Sequence, residues 1–230
     1  MKNKIIALFI ALGAVSSANA QLGGLGGMLG GMLGGGKSSG GGDVGAMADE
    51  FNRDASAINE VVSYSLIQIV AALGDKQQIA AVKAVNDNLA KTTDPKEKGS
   101  IQGTAIKEQA AVADELLKSD QAKAKVEKMA PEMQQKVAKS IFAVGVAALR
   151  IPVMMDKGMK IIEGIGSNPM NITKAIPVKD GMAVFAAALP KMPSILTTGL
   201  KLMRDVKVDP GNPAADSKME VDKNPSIPEG

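Results

Sequence analysis

Residues 137–155 read VAKSIFAVGVAALRIPVMM, and how this run is placed decides the fold. Wound as a helix it is apolar nearly all the way round, interrupted by Lys139, Arg150 and Pro152. A helix greasy on every side sits either at the centre of a bundle or in a bilayer. Two cations and a proline inside the roughly 20 residues needed to cross hydrocarbon disfavour a membrane span. The run therefore predicts a central buried helix, with Ile141, Phe142, Val146 and Leu149 in its core. Pro152 should end or kink it. A short amphipathic piece over 156–165 should follow, closed by a turn at Gly166-Ser167-Asn168-Pro169.

The flanking sequence supplies partners for such a helix. Towards the N-terminus, Phe51, Ala55, Ile58, Val62, Leu66, Ile69 and Leu73 recur at steps of three and four, which is one helix face. Asp43 is its expected N-cap and Gly74 its stop. Asp75 should cap a second helix with a narrower stripe of Ile79, Val82, Val85 and Leu89, fading near Thr92-Thr93. Asp94-Pro95 is a start signal, a capping side chain followed by proline at the first helical position. The helix it opens carries Ile101, Ala105, Ala110, Val112, Leu116 and Leu117, and Gly99 and Gly103 weaken its first turns. A Lys/Glu-rich segment begins at Asp120, and Pro131 bends or restarts the chain.

Beyond the central run, PVKDGMAVFAAALPKMPSILTTGLKLMRDV (177–206) has the same apolar character broken by prolines. It resembles the stretch around Phe142 in having a Phe, an Ala-rich run, a Leu and then prolines, as alanine-rich helices readily do. No strand pattern of any strength appears. The fold expected is all-α: an irregular bundle of about six helices over 43–206, with proline-broken C-terminal helices. Residues 207–230 are polar and carry four prolines, and they read as a disordered tail.

The start of the chain bears on location. Lys2 and Lys4 precede an uncharged apolar stretch, and Ala18-Asn19-Ala20 is a small-x-small cleavage site. This is the layout of a secretory signal peptide over 1–20, so the expected mature chain begins at Gln21 in a periplasmic or secreted location. The chain has no cysteine, so neither disulfides nor thiol-linked lipid can contribute. Stability must come from apolar packing, which a chain of this length can provide.

Residues 21–42 form a glycine-rich, low-complexity and flexible linker. Within it GMLGGGKS (31–38) fits the phosphate-loop pattern letter for letter. A working loop needs a strand before it and a helix directly after it. Here a Leu/Met-Gly-Gly repeat precedes and Ser39 with three glycines follows, so no nucleotide site is expected. The tract is nevertheless greasier than a solvated tether requires. Leu22, Leu25, Met28, Leu29, Met32 and Leu33 would share one face if it became helical at a membrane or against a partner.

Composition excludes several functions. The formal net charge is +3, falling by two with the signal lysines, and aromatics make up 2% of the chain. Nucleic-acid binding, which needs basic patches and stacking platforms, is not expected. Histidine is absent along with cysteine, which removes the usual general base, metal ligand and nucleophile arrangements. Carboxylates such as Asp114, Glu115 and Glu127 alternate with lysine and read as solvated helix surface. Met129 with Met133, and Met155 with Met159, stand one turn apart, a spacing that suits Cu(I). Core packing explains them better. Tyr64 reads as half-buried packing, and Asn171-Ile172-Thr173 as a chance glycosylation match. No enzyme, cofactor or metal is expected.

The leading expectation is an exported, non-enzymatic helical protein acting through protein or cell-envelope contacts. A second is a carrier or sensor of a lipid or other apolar ligand, its pocket lined by Leu149, Met154, Met155, Met182, Phe185 and Met192. A third is a membrane-active secreted protein.

Overall fold

The computed structural model describes residues 44–166 and 172–220. Its order is α1 (Val44–Leu73), α2 (Lys76–Lys91), α3 (Pro95–Lys118), α4 (Ala122–Glu127), α5 (Pro131–Gly166), α6 (Ile172–Ala188) and α7 (Met192–Asp205). The protein is an all-α bundle, with seven helices among the described residues. Asp43, the linker with its phosphate-loop string, the 1–20 segment, residues 167–169 of the expected turn and residues 221–230 lie outside them.

The helix boundaries follow local chemistry. Asp75 accepts from the Gln78 amide at 2.9 Å while the Gln78 side chain accepts from the Asp75 amide, a reciprocal capping box. Asp94 caps α3 through the Glu97 amide at 2.8 Å, with Pro95 in the first turn. Gly74 follows the end of α1, where Lys125 of the short α4 donates to the Leu73 carbonyl at 2.6 Å. A cation thus neutralises the carbonyl end of a long helix.

The core is an antiparallel pair, α1 against α5. Lys157 meets Glu50 at 3.1 Å near one end, and Gln68 donates to the Met133 thioether at 3.5 Å near the other. Helix α6 crosses them, with Phe185 edge-on to Phe51, ring centroids 6.4 Å apart. Glycines allow the closest approaches. A Cβ at Gly158 would stand 2.7 Å from Met182 Sδ and 3.0 Å from the Phe51 ring, and one at Gly199 would meet three Ile141 carbons within 3.0 Å.

Three expectations need correction. Pro152 does not end α5, which runs unbroken from Pro131 to Gly166. The ring sits on the exposed side, while Ile151 and Met154 beside it are buried. Helix α1 is not one-faced. Eighteen of its residues are buried, including Asp54, Asn59, Ser63, Ser65 and Gln68, because it shares the centre of the bundle with α5. Finally, the described part of the tail is packed: Val208, Pro210 and Met219 are buried.

Candidate functional site

The six residues expected to line an apolar pocket have different fates. Phe185, Met192 and Met154 are sealed in the close-packed core. Met155 and Met182 are half-buried against it. Leu149 is 43% exposed and belongs to the outer face of α5, so it is not a core residue either. A cleft of about 370 Å³ lies between α3 and α6, lined by Gly99, Gly103, Lys107, Asp180 and Val184 among others, and by none of the six. Ser100, Thr104, Lys107 and Asp180 are its polar lining residues. Among the described residues no three His, Cys, Asp or Glu side chains are grouped to bind a metal. Met133 faces Gln68 and Met159 is exposed.

Two buried carboxylates were read as surface, or not read at all. Asp114 is buried, whereas Glu115 beside it is exposed. Ser194 of α7 donates to it at 2.6 Å, Lys118 at 2.9 Å and Lys191 at 3.4 Å. Burial pushes its carboxyl up, but these three donors together hold it below the usual carboxylate range. The group joins α3 to the start of α7. This is a structural role.

Asp54 is the opposite case. It is buried at the level where α1 meets Lys157 of α5, and its Oδ2 has no hydrogen-bond partner among the described residues. Burial raises its pKa, Lys157 and Arg53 oppose the rise, and Glu50 adds to it. For a raised carboxyl, the stability it contributes is full below its unfolded pKa of about 3.9 and is lost as pH climbs through the folded value. At neutral pH Asp54 therefore costs stability. Asp54→Asn should melt a few degrees higher at pH 7, on the scale of the 2–4 °C that about 1 kcal/mol produces in a domain of this size. The gain should shrink as the buffer approaches pH 4. An equal or lower melting temperature at pH 7 would show that the charge is compensated.

The surface carries more functional information than the interior. The start of α1, the end of α5 and the start of α6 come together at one end of the bundle. There Val44 lies over Gly164, and Lys174 bridges to Asp49 at 2.7 Å. That end leaves large apolar side chains in water: Ile172 and Ile176 at 57% each, Met159 at 49% and Met47 at 38%. Ile172 and Ile176 are one turn apart on a single face of α6. In sequence, the 21–42 tract with its six leucines and methionines precedes α1, whose start lies at this end. The sequence placed none of these four residues in a site, although the i, i+4 isoleucine pair was a legible signal.

Comparison with family models, with curated proteins and with solved structures finds no match to this chain. Function must be argued from the surface itself.

Proposed function

We propose that this is an exported, non-enzymatic helical protein that works at the cell envelope, touching lipid through one end of its bundle. The observation that carries this reading is the exposure of Ile172, Ile176, Met159 and Met47 at the end where α1 starts, the helix that the Leu/Met-Gly tract precedes in sequence. Isolated exposed apolar residues need no explanation, but several at one end point to an interaction site. Export follows from the 1–20 segment read as a signal peptide.

The test is flotation with phospholipid vesicles. Full burial of an isoleucine is worth about 1.5–3 kcal/mol, and each 1.4 kcal/mol is about tenfold in affinity. Ile172→Ser with Ile176→Ser should therefore cut vesicle binding by about tenfold or more. Both side chains are mostly exposed, so the melt in water should stay in place. Undiminished binding in the double variant would sink the reading, as would no binding by the unaltered protein.

A second reading, insertion into the membrane, draws on α1 and α5. Each is long and apolar enough to cross a bilayer by length and composition. The fold favours surface contact over insertion, since 72% and 67% of those apolar stretches are already buried inside the protein. Inserting them would require giving up the core. The carrier reading is weaker, because three of its six residues are core and one is open to water.

A further inference from the structure

The outer face of α5 is a single apolar stripe, only half of which reaches solvent. Phe142, Gly145, Leu149 and Val153 fall within a narrow arc of the helix at steps of three and four. Leu149 and Val153 are 43% and 60% exposed. The other half lies under the chain that follows α7 and, at Gly145, also under Leu196 of α7. Gly211 sits against the Phe142 ring and Pro213 against Gly145. Residues 214–217 then turn, with the Ser217 amide bonded to the Ala214 carbonyl at 3.0 Å. At the turn Arg150 donates to the carbonyls of Ala215 at 2.5 Å and Ser217 at 2.7 Å. The chain beyond the turn buries Met219, and Glu220 pairs with Lys218 at 2.7 Å.

This strap presents α5 with a specific chemistry. It sets apolar atoms on Phe142 and Gly145, and carbonyl oxygens on the Arg150 guanidinium beside them. An anionic lipid surface offers the same combination: acyl chains for the stripe, and phosphate and carboxylate oxygens for Arg150. We propose that residues 207–219 are a clasp occupying a lipid-contacting stripe of α5, and that displacing it completes that stripe from Phe142 to Val153. The clasp is the internal competitor of an anionic membrane. It keeps the protein soluble until the surface itself supplies the replacement contacts. The inference rests on the envelope reading above and adds to it a second contact and its control.

The experiment uses the protein purified from its producing cells and vesicles mixing zwitterionic with anionic phospholipid. Val208→Ser with Met219→Ser removes the buried anchors of the strap and leaves α5 unaltered. Vesicle affinity should rise about tenfold, the gain expected when an open state populated at about 10% becomes dominant. The reverse variant locks the clasp. The chain has no cysteine of its own, and a Cβ built on Gly145 lies 3.2 Å from that of Pro213, close to disulfide spacing. Only the terminal methyl of Leu196 must swing aside.

Gly145→Cys with Pro213→Cys, oxidised, should bind vesicles less than the unaltered protein and regain binding on reduction. If the opened variant fails to fold, the locked pair decides alone. Binding by the unaltered protein that neither opening nor locking changes would overturn the clasp while leaving the envelope reading in place. No vesicle binding by any form would overturn both.

Discussion

Phe51→Ala is expected to lower the stability of the fold by about 3–5 kcal/mol, a large share of the 5–15 kcal/mol that typically holds a domain together. Phe51 is fully buried where three helices meet. Its ring packs edge-on against Phe185 of α6, lies beside Gly158 of α5, and approaches Gly181 and so closes α6 onto α1. Truncation removes the ring's transfer free energy and leaves a cavity that neighbours on three rigid helices cannot collapse to fill. The loss of the aromatic pair adds about 0.5–1.5 kcal/mol. Thermal melting followed by circular dichroism in detergent-free buffer should show a midpoint lower by many degrees. An unchanged midpoint would mean that this three-helix junction is not the core.

Gly158→Leu should be the second most damaging change, at about 3 kcal/mol. The added side chain would be driven into Met182 Sδ and the Phe51 ring. Met182 is flexible at its end and can yield, but the ring is held by Phe185 and cannot. Replacing glycine in a helix interior returns about 0.8–1 kcal/mol of propensity, so the net effect separates a packing contact from a merely tolerated glycine. At Gly99, where an added Cβ would meet nothing within 4 Å, alanine should instead stabilise. A higher melting temperature for Gly158→Leu would contradict the close approach of α1, α5 and α6.

The elements were legible because their signals are local. Asp75 and Asp94 act as caps, Gly74 as a stop and Pro131 as a start, each through its own backbone chemistry. The apolar run from residue 137 marks the central helix because most of such a surface must be covered in water, and only Leu149 and Val153 among its large apolar side chains stay open. What stayed hidden depends on contacts between distant segments. The polar positions of α1 read as a solvent face. They are buried because α1 has helices on several sides, which a period of 3.6 residues cannot report. Pro152 reads as a break because the rule is local, whereas α5 runs through it with Ile151 and Met154 buried. Asp114 reads as surface next to Glu115 because its donors, Lys191 and Ser194, stand far along the chain.

The candidate surface was legible only in part. The exposed apolar end emerges only when α1, α5 and α6 are brought together. Leu149, Met154, Met155, Met182, Phe185 and Met192 differ in burial because closeness in sequence does not make side chains face one space. Phe185 and Met192 instead fill the core, while Leu149 continues the stripe on the outside of α5. Arg150 carried an unused signal: a cation in an otherwise apolar run needs a partner. The polar tail, passed over as disordered, supplies it.

Hydrogen–deuterium exchange, with and without anionic vesicles, tests the central claim most directly, because it reads the core and the contact surface in one experiment. The amides of residues 61–70 in α1 and 141–151 in α5 should exchange slowly in water, and those of 61–70 should be unaffected by vesicles. New protection on adding vesicles should appear over 44–49 and 172–176, at the end of the bundle that exposes Met47, Ile172 and Ile176. Fast exchange through α1 and α5 in water, with protection gained only in lipid, would contradict the account and make these helices membrane spans.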